Sequence, residues 1–188
     1  MNIRRFAIAA AAFLALMGLG GCRVHSDHGD KDVDIRTPLG SISVHKGGSD
    51  PKATGLSLYP GAQIKPDLED RDGGANVDIS SSFFGLKVVA LKYQSNDSPE
   101  KVLSFYKKDM AKYGNVIDCT GGFTLTFHRH SEDSEVSCDH YQQGGHRYHE
   151  ALKVGTDYNQ RIVAIRPSGD GSEFALVYVK AWDEKTTM

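Results

Sequence analysis

The sequence predicts an α+β fold in which an antiparallel sheet packs against one main amphipathic helix. Two observations predict it. Several segments alternate or run apolar over strand lengths, and a single stretch beginning near Ser98 carries apolar residues at helical spacing. In chain order, Val33-Asp34-Ile35-Arg36-Thr37 and Ser41-Ile42-Ser43-Val44 alternate with period two on either side of Pro38-Leu39-Gly40, which marks a small β-hairpin over 33–45. The Gly and Pro residues of 46–55 read as a flexible joint, after which a globular domain over 56–182 opens at Leu56-Ser57-Leu58-Tyr59-Pro60-Gly61-Ala62. Its strands are expected at 75–82, 86–93, 161–166 and 173–181, the last two joined by the turn residues of 167–171. In the last strand Phe174, Leu176 and Tyr178 share one face and Ala175, Val177 and Val179 the other, as in an interior strand covered on both sides. Phe123, Leu125 and Phe127 alternate with Thr124, Thr126 and His128, which suits a strand with one wet face.

The helix announces its start through Asp97-Ser98-Pro99-Glu100. Ser98 suits the cap, Pro99 the first helical position and Glu100 the positive end of the dipole. Val102, Leu103, Tyr106, Met110 and Tyr113 form the apolar stripe, and Lys101, Lys107, Lys108 and Lys112 read as its solvated face. Gly114 is expected to end it in left-handed geometry.

Ahead of this domain, Arg4 and Arg5 precede an apolar run from Phe6 to Leu19 that is too short to span a bilayer, closed by Leu19-Gly20-Gly21-Cys22. This order resembles the lipobox signal of bacterial lipoproteins. The resemblance implies that residues 1–21 are a cleaved signal peptide and that Cys22 becomes the acylated first residue, anchored to the cell envelope through palmitate-type chains. Residue 23 is Arg rather than the Asp that resembles the inner-membrane retention signal, so the outer membrane is favoured in a two-membrane cell. The stretch 22–32 is short of apolar residues and reads as a flexible tether.

Cleavage of a 188-residue chain after residue 21 leaves 167 residues, the size of one domain. Losing Arg4 and Arg5 takes the net charge from −2 to −4, which offers no grip on phosphate backbones and argues against a nucleic-acid partner. Of three cysteines, lipidation of Cys22 leaves Cys119 and Cys138 in an oxidising compartment, and a disulfide between them is the expectation. Thiolate metal ligation is the rival, without the close spacing of a chelating pair.

The ordered set of Val33 to Gly40, Leu58 to Ala62 and Ser98 to Lys108 resembles a type of bacterial lipoprotein of unknown function. That resemblance implies an envelope location and brings no catalytic residues, substrate or cofactor. Five of the eight histidines, His128, His130, His140, His146 and His149, fall within 22 residues. They read as an exposed polar insertion with no cofactor, the alternative being a Zn, Cu or Ni site. The acidic run 67–73 reads as a solvated turn, a loose calcium site of fewer carboxylates being the alternative, and it does not fit an EF-hand: with Gly73 at the sixth position, Leu68 and Ile79 occupy the first and twelfth, where carboxylates are needed. Neither a nucleophile elbow nor a phosphate loop is present. The sequence therefore favours a non-catalytic binding or assembly-support domain, held to the membrane by its lipid and facing an envelope protein or an apolar ligand. Metal binding through the histidines is the alternative, and an enzyme of unrecognised type the next.

Overall fold

In the computed structural model the described residues are 23–26, 32–46, 50–65, 73–120, 135–138 and 150–183. The predicted signal 1–21, Cys22, the strand expected at 123–128 and residues 67–72 of the acidic run lie outside them.

Among the described residues ten strands form one antiparallel sheet. They are β1 (Arg23–Ser26), β2 (Asp32–Thr37), β3 (Gly40–Lys46), β4 (Gln63–Ile64), β5 (Gly74–Ser81), β6 (Phe84–Ser95), β7 (Ile117–Thr120), β8 (Glu150–Thr156), β9 (Asn159–Ser168) and β10 (Gly171–Asp183). The spatial order is β1-β2-β3-β5-β6-β10-β9-β8-β7, with β4 pairing the far end of β6 beyond β5. The single α-helix among the described residues, α1 (Pro99–Met110), lies across β8, β9 and β10. A mostly antiparallel sheet with one helix is the α+β class that the alternating segments predicted.

One core lies between helix and sheet. Val102, Tyr106 and Met110, four residues apart on one stripe of α1, are fully buried against Leu91, Leu152, Val163, Ile165, Phe174 and Leu176. Phe174 is its aromatic centre: its ring lies 5.7 Å from Tyr93, 5.6 Å from Tyr106 and 6.2 Å from Tyr59. Burial drives the Tyr106 hydroxyl far above the ordinary tyrosine pKa, and the backbone of Tyr59 only partly offsets it. The expected covering of β10 on both faces is present, since every residue from Ser172 to Val177 is buried.

The segment before β4 is pinned to the helix. Tyr59 donates to Asp97 at 2.8 Å, and Ser57 donates to Asp109 through both its N–H and its hydroxyl, each at 2.9 Å. Lys101, then Tyr59, hydrogen-bond the Asp97 carboxylate and hold it below the usual aspartate range.

Several local expectations are corrected. Within 46–55, read as a flexible joint, Pro51–Thr54 forms a 3-10 turn: Asp50 accepts from the Lys52 N–H at 2.9 Å and Gly55 closes it at φ 74°. Arg161 stacks on Tyr113 with its Cζ 3.6 Å from the ring centroid and donates to the Thr54 carbonyl, while Tyr113 donates to the Gly55 carbonyl. Distant residues thus fix a stretch whose composition alone reads as loose. Ser98 does not cap α1 with its side chain; its hydroxyl turns to Glu100, whose carboxyl is lowered by that bond first and by its own backbone N–H second. Gly114 follows a short 3-10 turn (Ala111–Tyr113) and has positive φ, 129°, but with ψ −158° it leaves the helix extended and not in left-handed helical geometry.

The tether reading also changes. Inside 22–32, Arg23–Ser26 pairs with β2, placing Arg23 opposite Arg36 and Val24 opposite Ile35. Four polar-rich residues become a strand because β2 presents a free edge of backbone donors and acceptors to them. The hairpin expected over 33–45 forms as β2 and β3, and β3 pairs along its full length with β5, making the hairpin continuous with the main sheet.

Candidate functional site

The register lays apolar side chains in rows across the face opposite α1. Val33, Val44, Val77, Val88 and Val179 are successive cross-strand partners, and so are Ile35, Ile42, Ile79, Leu86 and Ala181. Directly opposed residues share a face, so both rows continue the buried far-side cluster of Ala151, Ile162, Ala164, Ala175, Val177 and Val179. Toward β2 the burial fades. Val33 is 39% exposed and Ile42 40%, and the other members of the rows on β2, β3, β5 and β6 are half-buried. The helix-side face of the same strands carries Asp34, Arg36, Ser41, Ser43, Asp78, Ser80 and Lys87, with Ser41 and Ser80 hydroxyls 2.9 Å apart. This outer sheet is amphipathic, and its apolar side faces away from the only helix described.

A charged cluster closes the opposite end of the far side. Glu173, 4% exposed, accepts from Arg166 at 2.6 Å and from Lys65, which the β4 pairing brings alongside β6. Burial pushes the Glu173 carboxyl upward, but the bonds from Lys65 and Arg166 outweigh it and hold the group below the ordinary glutamate value. A lowered folded pKa means that stability is present above the ordinary value of 4.5 and is lost as pH falls through the folded value. Glu173→Gln should therefore reduce stability at neutral pH by roughly 1–2 kcal/mol, discounted because Lys65 and Arg166 reach solvent, and should flatten the acid limb of a urea-midpoint profile. An unchanged acid limb would remove Glu173 from the account. Neighbouring Gln63, Gln94, Asn96, Asp170 and Ser172 line a polar cleft at this end, suited to hydrogen bonding.

The predicted disulfide is present between Cys119 and Cys138, with Cα atoms 5.5 Å apart. Cys119 is buried opposite Ala151 on the far side. The segment carrying Cys138 runs along the edge of β8: Glu135 bridges Thr156, Val136 donates to the Gly155 carbonyl at 3.2 Å, and Lys153 Nζ donates to the Ser137 carbonyl at 2.9 Å. The bridge thus joins two stretches that share one strand edge.

His128, His130, His140, His146 and His149 all lie outside the described residues, as does Cys22. Among the described residues no group of three His, Cys, Asp or Glu is placed to hold a metal ion, and no helix is long and apolar enough to cross a membrane.

Compared with known protein families, curated proteins and solved structures, the chain matches none. The site therefore rests on its own geometry.

Sequence reasoning missed the Glu173 cluster and the rows. Glu173 and Arg166 sit symmetrically about the 169–170 turn, so pairing the hairpin residue by residue was enough to find them. Lys65 carried no such signal, because its approach depends on a two-residue strand.

Proposed function

We propose that the protein is a lipid-anchored envelope domain, acylated on Cys22 and without a catalytic role, that binds a protein partner through the far-side face of β2, β3, β5 and β6. The observation that carries this reading is the pair of apolar rows that remain half-exposed where they pass beyond the helix-backed strands. Contiguous apolar surface rimmed by polar residues is a mark of interaction sites on otherwise soluble domains. Asp34, Arg36 and the serines on the reverse side supply the solvated counterpart. The choice of the outer membrane in a two-membrane cell follows the lipobox resemblance and Arg23.

A photo-crosslinking residue at position 42, on the apolar face, is compared in intact cells with one at position 43, on the polar face. The expected result is a discrete protein adduct from position 42 that weakens when Val44 is replaced by Asp and is missing from position 43. Equal adducts from both positions, or none from position 42, would reject the apolar face as the binding surface.

A further inference from the structure

We propose that the turn end of β2, β3, β5 and β6 is a membrane-docking tip, which seats its apolar side chains in the headgroup region of the bilayer that holds the lipid. The inference rests on the reading of Cys22 as the acylated residue.

Two turns meet at this end. The 38–39 turn leads from β2 to β3 and the 82–83 turn from β5 to β6, and because Gly40 pairs with Ser81 they stand side by side, lining one shallow groove with Arg36, Ser80 and Ser82. Their apolar residues point into solvent: Leu39 is 74% exposed, Phe83 65% and Phe84 52%. These are the three most exposed large apolar side chains at this end. Ser81 fixes the second turn, accepting from the N–H groups of Phe83 and Phe84 and donating to the Phe84 carbonyl, so the two phenylalanines are presented by a closed turn.

The chain itself identifies the occupant. β1 runs antiparallel to β2, and its first residue, Arg23, pairs with Arg36, two residues before the 38–39 turn. Cys22 is the residue bonded directly to Arg23. The acyl chains therefore leave the protein at the end that displays Leu39, Phe83 and Phe84. A second copy or a protein partner would have no reason to coincide with the lipid, whereas a bilayer is obliged to be there. Arg36, exposed just before the 38–39 turn, adds positive charge where anionic headgroups lie, and the exposed aromatic pair suits the boundary between headgroups and acyl chains. In this arrangement the strands stand up from the membrane, and the apolar face of β2, β3 and β5 opens sideways.

The single tryptophan of the chain provides the reporter. Trp182 pairs with Gly85, beside Phe84, and its indole lies over Gly85 so closely that any side chain there would overlap it. The full chain, processed in cells fed labelled fatty acid, is purified and reconstituted into vesicles of phosphatidylcholine and phosphatidylglycerol, with or without bromine on the upper acyl carbons. Trp182 emission should fall with brominated lipid. The fall should be lost in the Leu39→Ser/Phe83→Ser/Phe84→Ser variant, which should keep its fatty-acid label and melting temperature. Ile64→Ser, exposed at the other end of the sheet, should behave as the native chain does. A labelled protein whose Trp182 is not quenched, or is quenched equally in the triple variant, overturns the tip alone. A native chain that carries no label on Cys22 overturns the anchor and, with it, the proposal.

Discussion

Phe174→Ala is expected to lower the thermal midpoint by roughly 6–20 °C, from a loss of about 3–5 kcal/mol spread over a domain of this size. The side chain is fully buried on β10, the strand that links β6 to β9, and three tyrosine rings pack within 6.2 Å of it. Tyr59, Tyr93 and Tyr106 come from a loop, a strand and the helix, so the cavity left by alanine cannot be filled by the shift of any one element. Phe174→Leu keeps most of the volume and should lose about half as much or less. Thermal melts followed by circular dichroism will separate the two. An alanine variant that loses less than about 1 kcal/mol would show that α1 does not depend on this ring for its seat on the sheet.

The second large effect is expected from the disulfide. Replacing Cys119 and Cys138 together by alanine should destabilise the domain by about 3 kcal/mol, the loop-closure value for their sequence separation of 19 residues in the chain-entropy model. Because Cys138 follows a segment hydrogen-bonded to the β8 edge, part of the loss should be local. Hydrogen exchange should quicken at Val136 before it does in β9. Non-reducing peptide mapping of the native chain should recover Cys119 and Cys138 joined. If both thiols instead alkylate fully without reductant, the bridge is absent in solution and the stability difference should vanish.

What the sequence made legible was whatever local pattern decides. The strands expected at 75–82, 86–93, 161–166 and 173–181 correspond to β5, β6, β9 and β10, each with ends displaced by one or two residues, because alternation fixes the face of a strand better than its limits. The stripe of α1 was equally readable from Val102, Tyr106 and Met110. β8 was not, since Lys153 interrupts its apolar residues, and the Ser137 carbonyl that meets this lysine, 2% exposed, lies in a stretch far from it in sequence. β4 is two residues long and exists through its pairing with Gln94 and Tyr93. The candidate face was half visible: the alternation of 33–37 and 41–44 named its residues, but the alignment of Val33 with Val44, Val77 and Val88 is a product of register, which no single segment contains. The adjacent phenylalanines Phe83 and Phe84 stood in plain sight between two strands, and their meaning depends on which other turn lies beside them.

The pairing of β1 with β2 also determines how the domain responds to load. If Cys22 is held by lipid and the rest of the molecule is pulled away, tension enters β1 at Arg23 and runs along the strand axis, parallel to β2. Ladder hydrogen bonds lie across that axis, so the pull shears them together instead of peeling them one after another. An anchor entering from the Ser26 end would open the pairs in sequence. The direction of a four-residue strand thus sets whether the attachment behaves as a clasp or as a zip.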